Sequence, residues 1–270
     1  MRSTREGATA ATEPIIPDSD GIENRSEGAL LGVLGVIPAR LGSTRLPRKV
    51  LREIAGKPLL TWVYEAAMRC AELDRVVVAT DAEEVMALCK REGWPCEMTS
   101  TELPSGTDRL HAVAERIPAE IYVNIQGDEP LLRAEHVRAL LRPFREKHVE
   151  VTTLKVRCTA ENERNPNAVK VVTAVDGRAL YFSRATIPFD RDGSGATYWK
   201  HIGLYAYRWA ALARFPHLRP SLLEQTERLE QLRFLENGVS VYVEATEIDT
   251  VGVDTPEDLE RVAAILQRMT

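Results

Sequence analysis

Leu34-Gly-Val-Ile-Pro38 runs directly into Ala39-Arg-Leu-Gly-Ser-Thr-Arg-Leu-Pro-Arg-Lys49, and this junction sets the class of fold. A short apolar run that stops at proline has the length of a buried strand. The segment after it is neither apolar nor periodic. Arg40, Arg45, Arg48 and Lys49 bring four cations, and Gly42 and Ser43 let a ligand approach the backbone closely. A strand ending in a glycine-containing basic loop is how an open α/β sheet presents a phosphate site, because ligands of such sheets bind beyond the carboxyl ends of the strands. The spacing is not that of a P-loop, and a solvated basic loop is the plainer alternative.

The same alternation continues along the chain. Pro58 opens a helical stretch with Leu59, Val63, Ala66 and Ala67 at helical spacing. Arg75-Val-Val-Val-Ala79 reads as a second buried strand, followed by a helix around Glu83 to Arg91. Glu120-Ile-Tyr-Val-Asn-Ile125 reads as a third, cut off by Gln126-Gly-Asp-Glu-Pro130. Strands and helices alternating at this interval predict an α/β fold: a mostly parallel sheet with helices on both faces. Further on, residues 169–175 and 178–183 flank Asp176-Gly177 as a hairpin, and His201 to Tyr207 is another strand. Ser221-Leu-Leu-Glu224 forms a capping box for one helix running through Leu229, Leu232 and Leu235 and ending at Gly238. Thr255-Pro-Glu-Asp258 starts the last helix, with Leu259, Val262, Ala263 and Leu266 as its core stripe.

Composition sets the outer bounds. The chain has 270 residues, 44% of them hydrophobic and 28% charged, as expected of a globular protein with a substantial core. A net charge of −5 argues against nucleic-acid binding, which asks for a broad basic surface. Cys70, Cys89, Cys96 and Cys158 lack C-x-x-C spacing, so they read as reduced thiols. No apolar run approaches the ~20 residues of a membrane span, and with no export signal the cytoplasm is the expected location. Residues 1–30 carry no core-forming pattern and read as a disordered tail, leaving 31–270 as a single domain with a smaller subregion at about 155–210.

The acidic residues supply the second half of a site. Asp128, just past a buried strand, suits a divalent cation that prefers oxygen donors, while Glu129 reads as a turn residue or capping acid. Asp254 of Gly252-Val-Asp-Thr-Pro256 is not needed to start the final helix and is the candidate second metal ligand, with Asp249 a weaker one. Ser105-Gly-Thr-Asp-Arg109 reads either as a base-binding loop or as a helix start capped by Thr107 or Asp108. His201 and Tyr181 lie in apolar strands, where a core role is the ordinary one.

Taken together these motifs have a family likeness. Residues 38–49, 77–81, 105–109, 123–130, Asn165-Pro-Asn-Ala-Val-Lys170, 179–188, 201–207, Leu229-Glu-Gln-Leu-Arg233 and 252–259 closely resemble the 3-deoxy-manno-octulosonate (Kdo) cytidylyltransferases, over essentially residues 33–268. The resemblance implies a Rossmann-like nucleotidyltransferase fold with a smaller β-rich insertion for dimerisation and sugar binding. It also implies a homodimer and transfer of CMP from CTP to Kdo, with release of diphosphate, for lipopolysaccharide synthesis. It assigns catalysis to Lys49, Arg40 and Asp128. It assigns CTP to Ala39, Arg40, Ser43, Arg45, Lys49, Ser105, Gly106, Thr107 and Arg109. Mg²⁺ falls to Asp128 and Asp254, and the sugar acid to Gln126, Tyr181, Ser183, Arg184, His201, Glu230 and Gln231. Arg48 departs from the pattern, standing where similar sequences often carry glycine. It either alters the loop or adds a phosphate contact.

The rivals are a cytidylyltransferase for 8-amino Kdo, a sialic acid or a polyol phosphate, a glycosyltransferase using Asp190-Arg-Asp192 as its metal motif, and a non-catalytic nucleotide-binding protein.

Overall fold

The computed structural model describes residues 31–42 and 46–269. The tail expected over 1–30, and the expected phosphate contacts Ser43 and Arg45, lie outside the described residues.

The strands are β1 (Leu31–Pro38), β2 (Glu53–Ile54), β3 (Lys57–Pro58), β4 (Arg75–Thr80), β5 (Cys96–Met98), β6 (Ala119–Asn124), β7 (Val151–Arg157), β8 (Lys170–Thr173), β9 (Ala179–Ser183), β10 (Trp199–Arg208) and β11 (Val241–Ala245). The helices are α1 (Leu59–Met68), α2 (Glu83–Glu92), α3 (Gly106–Ala114), α4 (Ala134–Leu141), α5 (Ala160–Arg164), α6 (Trp209–Arg214), α7 (Leu222–Glu227), α8 (Gln231–Glu236) and α9 (Pro256–Met269). The main sheet runs in the order β11-β7-β10-β6-β1-β4-β5. β1 pairs in parallel with both β4 and β6, and β11 in parallel with β7, whereas β10 is antiparallel to both its neighbours. The sheet is therefore mostly parallel, as the alternation predicts.

Residues next to each other in a strand face opposite sides, and both sides are covered. Ile37, Val76 and Val78 pack under α1, α2 and α4, while Val36, Val77 and Ala79 pack under α3, α6 and α8. Double coverage explains why β4 reads as an unbroken apolar run instead of alternating. A third cluster joins α9 to β2 and α1 through Val262, Leu266, Ile54 and Trp62, fixing the end of the chain beside the β1 loop.

Two expectations need correction. The helix predicted from Ser221 to Leu235 is two helices, broken where Arg228 takes a left-handed conformation (φ 54°). The break is held from outside: Arg184 Nε donates to Glu227 O at 2.7 Å. The capping box itself is present, with Glu224 N on Ser221 Oγ (3.2 Å) and Ser221 N on Glu224 Oε2 (3.3 Å). The hairpin also forms about Asp176-Gly177, but its strands are shorter than predicted (170–173 and 179–183), and it branches from β10 through Lys170 opposite Lys200.

Strand β10 carries the irregularity that matters most. Its register with β7 jumps from Ile202–Leu154 to Tyr205–Thr153, so Gly203 and Leu204 form a bulge. A bulge interrupts ladder bonds and re-aims side chains. Here the Thr153 hydroxyl fills in, lying 3.1 Å from Ile202 O and 2.8 Å from Leu204 O.

Candidate functional site

The basic loop, the loop after β6 and the start of α9 meet at the carboxyl end of β1. Gly127 is required for this meeting, since a Cβ there would stand 2.7 Å from Pro38 O. The result is a cleft of about 390 Å³ lined by Arg40, Lys49, Gly106, Arg109, Gln126, Asp128 and Asp254 among others. Lys49 is the centre of its charge. Its Nζ donates to Asp128 Oδ2 and, at 2.9 Å, to Asp254 Oδ1, joining residues 205 positions apart. Burial lowers the ammonium pKa, but Asp128 and then Asp254 outweigh it, so Lys49 stays charged and its pKa lies above the ordinary lysine value.

The other members of the predicted nucleotide set take varied places. Ala39 is fully buried and prolongs β1, its N–H donating to Ala79 O at 2.8 Å while Thr80 Oγ1 donates to its carbonyl at 2.6 Å. Ser105, not Thr107 or Asp108, is the N-cap of α3, accepting from Asp108 N. Arg109 is 1% exposed and pinned by Asp81 Oδ2 at 2.8 Å and by Thr99 Oγ1, yet it still lines the cleft. Arg48 turns away: its guanidinium pairs with Glu84 of α2 and does not reach the cleft lining. Its φ of 57° shows why glycine suits this position.

A second pocket of about 270 Å³ opens from the first, since Gly106 and Gln126 line both. It contains Thr107, His201, Glu230 and Gln231, together with Asn124, Tyr205 and Tyr207. Thr107 Oγ1 donates to Glu230 Oε1, and Gln126 Nε2 donates to Gly203 O at 3.2 Å. Burial raises the Glu230 carboxyl pKa. His201 Nε2 lies 2.9 Å from Thr153 Oγ1. A hydroxyl that donates to a bulge carbonyl accepts from the ring, which places the imidazole proton on Nε2. Burial, with Lys200 next to it, lowers the His201 pKa to about 3, so the ring is neutral at neutral pH.

Three predicted sugar residues are not brought into this pocket. Ser183 Oγ donates to Glu227 Oε1 at 2.5 Å, Arg184 N to Glu227 Oε2 at 2.9 Å, and Tyr181 Oη to Glu227 Oε1 at 3.5 Å. They form a clasp that fixes the α7–α8 break and so the start of α8, where Glu230 sits.

The acids also sort themselves. Glu129 is part of a turn, its N–H donating to Gln126 O at 3.1 Å, and burial first, and then Asp128, raises its pKa to about 8. Asp249 accepts from Lys200 Nζ at 2.8 Å and lines, with Asp254, a neighbouring pocket, but Asp249 does not line the Lys49 cleft. Asp190 accepts backbone N–H bonds from Ala196, Ser194 and Gly195, which hold its pKa at about 2, so Asp190-Arg-Asp192 orders its own loop. Among the described residues no cluster of three or more metal-binding side chains occurs. No helix among them is long and apolar enough to cross a membrane.

Sequence reasoning missed Asn124, Thr153, Tyr205 and Tyr207. Gly203 inside an apolar strand was the available signal, because an interior glycine marks bulges. Thr153 gave none, since its role depends on β7 lying beside β10.

A doubly covered, mostly parallel sheet with a basic loop and two converging carboxylates at its carboxyl end defines a nucleotidyltransferase. The chain belongs to the cytidylyltransferase family, whose pattern matches residues 34–247, and within it to the 3-deoxy-manno-octulosonate cytidylyltransferases. It is 62% identical to the 3-deoxy-manno-octulosonate cytidylyltransferase of Acidobacterium capsulatum over 87% of this chain and 97% of that one. The protein of the same name from Koribacter versatilis is 55% identical, over 90% and 93%. A solved CMP:2-keto-3-deoxy-manno-octonic acid synthetase complexed with CTP superposes with a TM-score of 0.85 at 41% identity, covering 88% of this chain and all of that one.

Proposed function

We propose that this chain transfers CMP from CTP to 3-deoxy-manno-octulosonate, forming CMP-Kdo and diphosphate, as an Mg²⁺-dependent cytoplasmic homodimer. In this reading the product is the activated sugar for lipopolysaccharide synthesis. The observation that carries it is the Lys49 junction: one cation held by Asp128 and Asp254 in a cleft that opens, past Gln126 and Gly106, into a polar pocket of sugar size.

The donor chemistry fits magnesium. Asp128 and Asp254 come from different elements, and one ammonium already satisfies both carboxylates, so two hard oxygen ligands converge where a cation is favoured. When bound, Mg²⁺ supplies charge neutralisation for the phosphates. The remaining work falls to the chain. Arg40, Lys49 and the N–H groups that begin α3 receive the triphosphate, and the cations stabilise negative charge on the departing diphosphate. Glu230, Gln126 and neutral His201 orient the sugar so that its anomeric hydroxyl faces the α-phosphorus. A bond forms from that oxygen to phosphorus, the bond to the diphosphate oxygen breaks, and the hydroxyl proton is released. No covalent enzyme intermediate is needed.

The test is diphosphate release from CTP and Mg²⁺ with Kdo, 8-amino Kdo and a sialic acid in parallel. Release with Kdo at the highest kcat/KM supports the proposal. Release with another acid and none with Kdo overturns the substrate.

A further inference from the structure

Asn124 closes β6 at the boundary between the two pockets. Its backbone is locked, opposite Val36 of β1 on one side and Tyr205 of β10 on the other. The residue is 2% exposed, so water does not reach it freely, and Oδ1 has no hydrogen-bond partner among the described residues. Buried amide oxygens almost always find a donor, and one without a donor calls for a reason. Its surroundings supply one. The residue lines the second pocket, where Thr107 is engaged with Glu230 and Gln126 with Gly203 O, while the hydroxyl of Tyr205, opposite Asn124 in the sheet, is also left without a partner among the described residues. Asn124 lines the second pocket and not the cleft that holds Lys49.

We propose that Asn124 is a specificity-determining residue for the acceptor sugar, its Oδ1 accepting a hydrogen bond from a hydroxyl of the bound polyhydroxy acid. This rests on the second pocket being the sugar site. Such an acceptor selects by rejection: a sugar acid lacking the matching hydroxyl leaves the buried oxygen unpaired, and sites built to pair a substrate hydroxyl discriminate strongly against analogues without it. The same logic separates a recognition residue from a structural one. Replacing an unpaired buried acceptor with an apolar side chain of similar shape removes a cost in the free protein while removing a contact in the complex.

The experiment compares Asn124→Leu and Asn124→Ala with Glu230→Gln in the full chain, measuring both Michaelis constants and thermal unfolding without substrates. For Asn124→Leu we expect a rise of tenfold or more in the KM for Kdo, a KM for CTP within about twofold of wild type, and an unfolding midpoint unchanged or raised. Should the leucine variant fail to fold, the alanine variant gives the same kinetic reading. Kdo analogues each lacking one hydroxyl then identify the partner: the matching analogue loses affinity for wild type and loses no more for Asn124→Leu. An unchanged sugar KM in both Asn124 variants, with Glu230→Gln raising it, overturns the proposal. If no variant, Glu230→Gln included, changes the sugar KM, the sugar-site reading itself fails.

Discussion

Arg48 and Lys49 are neighbours with opposite fates, and the difference is backbone geometry. Arg48 sits at φ 57°, a left-handed conformation costly for a residue with a Cβ, and its charge is spent on an exposed pairing with Glu84. Exposed ion pairs contribute little. Arg48→Gly should therefore hold or raise the melting temperature and leave CTP turnover within about twofold of wild type. A fall in both would assign the guanidinium to phosphate binding. Lys49, one residue on, lies in the short 3₁₀ turn Lys49–Leu51 and reaches inward to both aspartates. At those aspartates the expectation is the reverse. Asp128→Asn and Asp254→Asn should keep the fold but each lose about a hundredfold in kcat, roughly 3 kcal/mol of transition-state stabilisation, read across a magnesium titration. Near-normal turnover at limiting magnesium would remove that residue from the metal site. Asp128 and Asp254 were legible as a pair from sequence, because one follows the buried run ending at Ile125 and the other is not needed to start the final helix. That Lys49 joins them was not, since nothing local links positions 205 apart.

At the scale of elements, the parallel strands β1, β4 and β6 were legible because both faces are buried and the apolar runs are continuous. The α7–α8 break was not: Ser221 to Leu235 keeps helical spacing throughout, and the turn at Arg228 is imposed by Arg184, 44 residues away. The insertion of β10 between β6 and β7 was hidden in the same way, whereas the burial of His201 was legible from its place in an apolar strand. That burial has a pH signature. The His201 pKa drops to about 3 in the folded protein from the ordinary 6.5, so below pH 6.5 the unfolded chain binds a proton that the native one refuses. Stability from this group is present above pH 6.5 and falls as pH drops toward 3. Between pH 7 and pH 5 the loss is about 2 kcal/mol. His201→Gln has no such proton to bind. In urea titrations at the two pH values it should lose about 2 kcal/mol less than wild type; equal losses would mean the ring is solvated.

For the whole molecule, the exposed apolar residues are unevenly placed. Val175, Leu180, Phe189 and Leu222 are each more than 60% exposed, and the first three belong to the hairpin and the segment just after it. Strand β9 pairs only with β8 among the described strands, so beyond the single bridge of Arg178 to Tyr242 its outer edge has no strand partner beside Leu180. An open edge with an apolar flank invites another chain, and monomers rarely keep such a surface uncovered. A second copy of this chain fits the proposed homodimer, since a two-fold contact uses one patch twice. The clasp of Tyr181, Ser183 and Arg184 on Glu227 then ties that surface to the second pocket, the proposed sugar site, because Glu227 immediately precedes the break that sets Glu230 in place. Light scattering on the purified chain at tens of micromolar should give twice the chain mass. Leu180→Lys combined with Phe189→Glu should give the single-chain mass, because burying two charges opposes association. Through the clasp, it should raise the KM for the sugar more than the KM for CTP. A wild-type chain that scatters as a monomer at these concentrations would overturn the dimer, and a monomeric variant with unchanged sugar KM would separate the clasp from the interface.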